Sequence, residues 1–205
     1  MPRHTEIAHL SSQYLDSIDD AFIGSGTSTG TGAQPYPGQL GAFMEMTEAQ
    51  ALAASTAPAT LTLHEGIYQY VQFKLTSTSA FAVGACVFWS TRASYIVSAD
   101  TGPTLFGFLA GICLRINTKG NYGWIQVGGT ANVKFKSSLT AATPAIGDLV
   151  IVDQSATTAG ALADDPTQAT GLTATTMKSV IGVAEAAPVA SATQLVQLWP
   201  RFWNE

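Results

Sequence analysis

The sequence GNYGWIQVGGTANVKF, residues 120–135, decides the fold class. Polar or aromatic residues alternate along it with aliphatic ones, Tyr122, Trp124 and Gln126 against Ile125 and Val127. Such alternation is typical of a half-buried β-strand. The pair Gly128–Gly129 predicts a tight turn that makes the stretch a β-hairpin. The stretch has no acid, histidine or cysteine, which favours an architectural role over a catalytic one.

Short runs rich in β-branched and aromatic residues flank this stretch, separated by Gly, Ser, Thr and Pro. They are LTLHEG, IYQYVQFKL, AVGACVFWS, SYIVSAD and FGFLAGICLRIN before it, and PAIGDLVIVD, KSVIGVAEA and ATQLVQLWP after it. Several short strands at regular spacing predict an all-β fold, a small barrel or sandwich. We expect a long loop from Gln154 to about Met177, with a turn at Asp164-Asp165-Pro166.

The two halves of this β region resemble each other weakly. Three fragments recur in the same order, Val83-Gly84 with Ile146-Gly147, Phe106-Gly107 with Ile181-Gly182, and Trp124-Ile125-Gln126 with Leu195-Val196-Gln197. The recurrence predicts two copies of one unit, at about residues 61–135 and 136–205, each covering an apolar face of the other. The spacing between the fragments differs, so coincidence of strand composition is the alternative.

The N-terminal part has a helical pattern. Apolar residues recur at three- and four-residue steps and predict an amphipathic helix, with Ile7, Leu10, Tyr14, Ile18 and Phe22 on one face. A Gly- and Thr-rich linker follows, so residues 1–34 are predicted to form a helical arm and linker. The arm either docks on a neighbouring protein or packs on its own domain. Residues 35–60 connect it to the β domain at 61–205 through a short helix, which Thr47 and Gln50 cap as a capping box.

Composition limits the classes of function. Charged residues make up 11% of the chain, against roughly 25% in an average soluble domain. Charged residues are depleted in interface cores, so the chain is suited to an assembly. The net charge of −5 and scattered basic residues argue against nucleic-acid binding, and no apolar run is long enough for a membrane span. The N-terminus lacks a signal-peptide core, and Cys86 and Cys113 are expected to be buried thiols, which together favour synthesis in a cytoplasm.

Catalytic and metal-binding motifs are weak. Gly26-Thr27-Ser28-Thr29-Gly30 matches the letters of a nucleophile motif, but it lies in the linker instead of on a strand-to-helix turn. His4 and His9 are not spaced as metal ligands on one helix face, and His64 is expected at a surface turn. We therefore expect no catalytic residues, cofactor or metal. A hydrolase that uses Ser28 or a pair of acids is the alternative from this class.

The C-terminal sequence LWPRFWNE is aromatic, with Trp199, Phe202 and Trp203 around Pro200. Large aromatic residues beside an arginine are a typical interface composition. Packing on the chain's own domain and contact with a partner are equally consistent with this sequence.

Four segments together resemble a family of tailed-bacteriophage virion proteins, the capsid decoration or head cement proteins: FGFLAGICLRINTKGNYGWIQVGG (106–129), IGDLVIVD (146–153), SVIGVAEA (179–186) and QLVQLW (194–199). The resemblance implies a β-rich homotrimer, made in the host bacterial cytoplasm. It would sit on the outer capsid surface at three-fold or quasi-three-fold sites between subunits of the major capsid protein. The implied role is structural and non-enzymatic. Contacts are expected from the arm and from Trp199, Phe202 and Trp203, and Tyr122 and Trp124 are expected in the fold or the trimer interface. The alternative is a head-fibre base or tail protein with a carbohydrate-binding surface.

Overall fold

A computed structural model describes residues 40–55, 63–100, 109–114, 119–120, 122–153, 163–164 and 180–199. The predicted arm, with Ile7, Leu10, Tyr14, Ile18 and Phe22, lies outside the described residues, as do the linker with Ser28, the histidines His4 and His9, and the terminal Phe202 and Trp203.

The described residues form ten β-strands and one α-helix. The strands are β1 (Phe43–Met46), β2 (Gly66–Phe73), β3 (Cys86–Thr91), β4 (Ile96–Ser98), β5 (Leu109–Cys113), β6 (Tyr122–Lys134), β7 (Leu149–Val152), β8 (Ala163–Asp164), β9 (Val180–Ala184) and β10 (Thr193–Leu198). The helix α1 spans Glu48–Ser55 and follows β1, and a short 3-10 turn at Arg92–Ser94 joins β3 to β4. The predicted all-β fold is confirmed.

Five strands close into a first barrel, which we call barrel 1. Going around it, β2 pairs with β4, β4 with β3, β3 with β5, β5 with β6, and β6 again with β2. The β2–β4 pair is parallel and the other four are antiparallel. Closure leaves no unpaired edge around this ring.

The remaining strands form a second ring, barrel 2, in the order β6–β10–β9–β7–β8. A parallel bridge between Phe135 and Ala163 closes it, and the Lys136 N–H donates to the Ala163 carbonyl at 3.0 Å. The strand β6 therefore belongs to both barrels. Its first half pairs with β2, and the segment from Gly129 to Lys134 pairs with β10.

The predicted hairpin at Gly128–Gly129 is wrong, because β6 continues through both glycines. The strand has an irregularity there: Tyr68 lies opposite Gln126, whereas the preceding Ile67 lies opposite Gly128. Gly129 has a φ of 83°, and a side chain on it would collide with the backbone of Glu65 and Gly66 on β2. Val127 is therefore the extra residue of a β-bulge just before the two glycines. The positive φ and missing side chain of Gly129 let β6 approach β2 closely as it passes from one barrel to the other.

The predicted loop from Gln154 to Met177 is also incomplete, because β8 lies within it. Asp164 does not lie in the predicted turn: it pairs with Ile151 across β7 and β8 and is 3% exposed. Its carboxylate is held by Lys136 and Thr140, which is how a short acidic segment forms a buried strand.

The short helix and the two cysteines agree with expectation. The Thr47 N–H donates to Gln50 Oε1 at 2.9 Å, and the Gln50 N–H donates to Thr47 Oγ1 at 3.4 Å, which is the predicted capping box. Cys86 and Cys113 are buried thiols. They lie in different core clusters, Cys86 in the one that fills barrel 2 and Cys113 in the one that fills barrel 1.

Barrels 1 and 2 have equivalent strands. Strand β3 matches β7, β4 matches β8, β5 matches β9, and the first half of β6 matches β10. The second half of β6 takes the place in barrel 2 that β2 has in barrel 1. Even the irregularities correspond, because the register shift between Val87 and Phe88 recurs between Val150 and Ile151.

The turns before β3 and β7 also make the same hydrogen bonds. The Gly84 N–H donates to the Cys113 carbonyl at 2.8 Å, and the Gly147 N–H donates to the Ala184 carbonyl at 2.9 Å. Both glycines have positive φ, 74° and 85°. The two turns therefore have the same backbone conformation and the same hydrogen-bond partners in the strand pairing.

For one of the three recurring fragments, the strand pairing aligns different residues from those that the sequence aligns. Val87 pairs with Gly111 in barrel 1, and Val150 pairs with Gly182 in barrel 2, so Gly182 corresponds to Gly111. A side chain at either glycine would collide with a neighbouring carbonyl, that of Gln126 or of Gln197. Gly107, which sequence similarity alone aligns with Gly182, lies outside the described residues.

Candidate interaction surface

Tyr122 and Trp124 lie on the outer face of barrel 1 beside Tyr70 of the neighbouring strand. The Tyr70 and Tyr122 rings stack with centroids 6.4 Å apart, and the Tyr70 and Trp124 rings are 5.2 Å apart and tilted. Tyr70 is 6% exposed, and the other two are half-buried. Two of the ten predicted interface residues are thus brought together, in a cluster that packs mostly within the fold.

A cover made of β1 and α1 explains why this face is aromatic. Five buried residues form the cluster beneath it with Tyr68, namely Met44, Met46, Ala51, Leu63 and Leu114, and Trp124 packs against them. Tyr68 is fully buried, and its hydroxyl donates to the His64 carbonyl. Burial raises the pKa of Tyr68 well above its ordinary value, against the opposing effect of this hydrogen bond, so the phenol stays neutral.

Trp199 is separate from that cluster and more exposed. It follows β10, and its side chain is 43% exposed. Its backbone N–H donates to the Ile181 carbonyl at 3.0 Å. It lines a small groove, with room for about one water molecule, where barrel 1 meets barrel 2, together with the buried Leu109, Ile112 and Leu198. An aromatic side chain fixed through its backbone beside a groove has the geometry of an interface anchor.

Other large apolar side chains are exposed at strand ends and turns of the described part. They are Phe43 at 41%, Leu75 at 71%, Ile146 at 72% and Val189 at 54%. Single exposed apolar residues are ordinary on protein surfaces.

Polar residues that the sequence did not single out are organised in two clusters, one per barrel. In barrel 1, Asp100 accepts from the Thr78 N–H at 2.6 Å, from the Ser79 N–H at 2.9 Å and from the Ser98 hydroxyl at 3.0 Å. Burial opposes its charge, but these bonds, with those from the Ser77 and Thr78 hydroxyls, hold the pKa of Asp100 well below its usual range. The cluster fastens the loop after β2 to the end of β4.

In barrel 2, Asp164 has the corresponding role. Lys136 Nζ lies 2.7 Å from its carboxylate and 3.9 Å from that of Asp153, and the Thr140 N–H donates to Asp164 at 2.9 Å. Thr140 also donates its hydroxyl at 2.5 Å. This cluster fastens the loop after β6 to β8, so both carboxylates stabilise a barrel closure.

His64 makes its described side-chain contact with an amide: its Nε2 lies 3.2 Å from Asn132 Nδ2. In the described ranges, no group of three or more His, Cys, Asp or Glu side chains is placed to hold a metal ion. Among those same ranges, no helix is both long enough and apolar enough to span a membrane.

Comparisons with protein-family models, with curated proteins and with solved structures find no match to this chain. Within the described residues, the geometry is that of a closed five-stranded barrel that continues through β6 into a second ring of strands, closed by a single bridge, with large apolar side chains exposed on both.

Proposed function

We propose that this chain is a non-enzymatic virion structural protein of a tailed bacteriophage. It decorates and stabilises the outer capsid surface as a homotrimer, bound at three-fold or quasi-three-fold sites between subunits of the major capsid protein. The resemblance of residues 106–129, 146–153, 179–186 and 194–199 to head cement proteins supports this proposal. In this role the chain is made in the bacterial cytoplasm and needs no cofactor.

The exposure of Trp199 carries the proposal. A cement protein acts by burying surface on several capsid subunits at once, so that modest contacts add as avidity. Trp199 is 43% exposed beside the groove between the barrels, and Ile146 and Val189 are exposed on the same barrel. These side chains offer apolar anchors on a chain with only 11% charged residues.

The test is binding to purified expanded heads that lack the protein. Bound copies per head are measured by co-sedimentation, and head stability by differential scanning calorimetry. We expect saturable binding and a higher melting temperature of the heads, with density at three-fold positions in electron micrographs. No binding to heads at any ratio would refute the capsid role.

Two variants test which parts of the chain contact the heads. Replacing Trp199 by Ala removes a half-exposed aromatic anchor and is expected to weaken head binding about tenfold or more, whereas Leu75→Ala, at a 71% exposed site away from the groove, leaves it unchanged. Deleting residues 1–34 is expected to weaken binding as well. Unchanged binding by the truncated chain would remove the arm from the proposal.

Trp199 also favours a second candidate, a head-fibre base or tail protein with a carbohydrate-binding surface, since an indole that is 43% exposed can stack on a sugar ring. Binding to a glycan array, lost in Trp199→Ala, together with no binding to heads, would select this function.

A further inference from the structure

The two barrels are closed by contacts of different extent. We call the contact between β2 and β4, which closes barrel 1, seam 1. The contact between β8 and the two residues that follow β6, which closes barrel 2, is seam 2. In seam 1 the strands pair in parallel over two residue pairs. The Gln72 N–H donates to the Tyr95 carbonyl at 2.9 Å, and the Lys74 N–H donates to the Val97 carbonyl at 2.8 Å.

Seam 2 has less main-chain pairing within the described ranges. A single bridge joins Phe135 to Ala163, and the Lys136 N–H donates to the Ala163 carbonyl at 3.0 Å. Strand β8 is two residues long, and only its alanine belongs to a core cluster. Strand β4 and the residue after it supply Val97 and Ala99 to the core of barrel 1. Because hydrophobic stabilisation grows with the apolar area buried, β8 is held less firmly by burial than β4.

Side chains supply most of the bonds in seam 2, and these bonds meet at one carboxylate. Lys136 Nζ lies 2.7 Å from Asp164, to which Thr140 donates its N–H at 2.9 Å and its hydroxyl at 2.5 Å. Lys136 Nζ also lies 3.1 Å from the Thr140 hydroxyl. At seam 1, Asp100 accepts from uncharged N–H and hydroxyl donors instead. Seam 2 therefore depends on an ion pair in a way that seam 1 does not.

The other side of the same segment is fixed by main-chain bonds alone. The Phe135 N–H donates to the Ala192 carbonyl at 2.8 Å, and the Ser191 N–H donates to the Lys136 carbonyl at 2.8 Å. Both bonds attach the segment to the turn before β10. The adjacent amides of Phe135 and Lys136 therefore report on different contacts. Separation of β8 breaks the bond that the Lys136 N–H donates and leaves the bond of the Phe135 N–H intact.

We propose that barrel 2 opens and recloses at seam 2 while barrel 1 stays closed, and that the Lys136–Asp164 ion pair sets how often it opens. Opening frees one edge of β7, because Ile151 and Val152 pair there with β8. Parts of a protein that open locally are those with few buried apolar contacts, and β8 is such a part. The inference goes beyond the proposed function and does not rest on it, since it concerns the free chain.

The test is native-state hydrogen exchange of single amides in the full chain, measured by NMR at a series of low urea concentrations. After correction for intrinsic rates, the Lys136 N–H is expected to exchange about tenfold or more faster than the Phe135 N–H and than the equivalent Lys74 N–H of seam 1. Its rate should change little with urea, because a local opening exposes little surface, whereas amides that require global unfolding exchange faster as urea rises. Simple fraying of the segment would instead give Phe135 and Lys136 the same rate.

A pair of variants tests the ion pair. Lys136→Met is expected to raise the exchange rate of the amide at position 136 about tenfold or more. The matched control is Lys74→Met, since Lys74 has the same place in seam 1 and no ion-pair partner in the described part of the chain. It should leave the amide at position 74 within about twofold. Equal protection of the Lys136, Phe135 and Lys74 amides in the unchanged chain would overturn the proposal, and this measurement needs no variant to fold. An effect of Lys136→Met no larger than that of the control would also overturn it.

Discussion

The closure of barrel 2 depends on a buried charge pair that can be tested quantitatively. Strand β8 is two residues long, and Asp164 within it has a side chain that is 5% exposed. Lys136 Nζ lies 2.7 Å from that carboxylate and is itself 20% exposed. The change Lys136→Met keeps most of the aliphatic stem and leaves the carboxylate buried with Thr140 as its remaining described donor.

Breaking a buried ion pair from one side costs about 3 to 5 kcal/mol, because an uncompensated charge stays in the interior. Lys136 is partly solvated, so we expect the lower end, about 3 kcal/mol. In a chain of this size that lowers the melting temperature by about 6 to 12 °C. Urea unfolding followed by tryptophan fluorescence and circular dichroism measures the free energy of unfolding directly.

Lys134→Met is the matched control, since Lys134 lies two residues earlier on the same chain segment and has no carboxylate within ion-pair distance among the described residues. It is expected to change stability by less than about 0.5 kcal/mol. The double variant with Asp164→Asn isolates the pair, and in that background Lys136→Met should cost clearly less. Two results would refute this account of barrel closure. One is a loss of stability for Lys136→Met no larger than for Lys134→Met; the other is an equal loss for Lys136→Met in the unchanged chain and in the Asp164→Asn background.

Three further predictions concern single positions. Asp100→Asn is expected to cost about 1 to 3 kcal/mol at neutral pH. Because the pKa of Asp100 is lowered in the folded state, its contribution is fully present above the unfolded pKa and is lost gradually as the pH falls from there through the folded pKa. The stability difference between the variant and the unchanged chain in urea melts should therefore begin to shrink below about pH 4 and keep shrinking as the pH falls further. A pH-independent difference would contradict this. Gly129→Ala should lower the free energy of unfolding by about 3 kcal/mol or more, through collision with the backbone of Glu65 and Gly66 as well as strain. Gly147→Ala has open space around it and should cost about 1 to 2 kcal/mol from its positive φ alone. Equal thermal shifts would disprove the close approach at Gly129. Thr47→Ala should lower the free energy of unfolding by about 1 kcal/mol, because it removes the cap of α1. A loss of helical circular dichroism signal with no change in the free energy of unfolding would contradict this.

Local patterns in the sequence were sufficient for the fold class. Alternating apolar residues and turn residues placed the strands, since both signals act over a few residues. The capping box at Thr47 and Gln50 was predictable for the same reason. The weak recurrence of fragments was informative as well, because the Gly84 and Gly147 turns require the same positive φ.

What the sequence missed depends on distant contacts. Gly128–Gly129 fits a turn and a bulge equally well, and the difference lies in the close approach of Glu65, far away in the chain. Likewise, Asp164 is buried because Lys136 and Thr140 reach it from another segment. Neither partner can be recognised before the strands are placed side by side.

The candidate surface was predictable by residue type but not by exposure. Tyr122 and Trp124 are residue types that are common in interfaces, but they pack against Tyr70 on barrel 1 and are half-buried. Ile146 had no special sequence signal apart from its place in a repeated fragment. Its exposure depends on which strands lie beside the turn before β7, which is a property of the three-dimensional arrangement.

The sharing of β6 has a consequence for how the chain can be divided. A cut between residues 128 and 129 would leave Tyr122–Gly128 paired with β2 and Gly129–Lys134 paired with β10, so each fragment keeps the strands of one ring. What such a cut removes is the continuous backbone between the two rings. Because Phe88, Leu109 and Ile112 of barrel 1 also pack in the core cluster of barrel 2, the intact chain should lose both rings in a single cooperative transition. The amides of β6 should then exchange with deuterium at the rate of global unfolding.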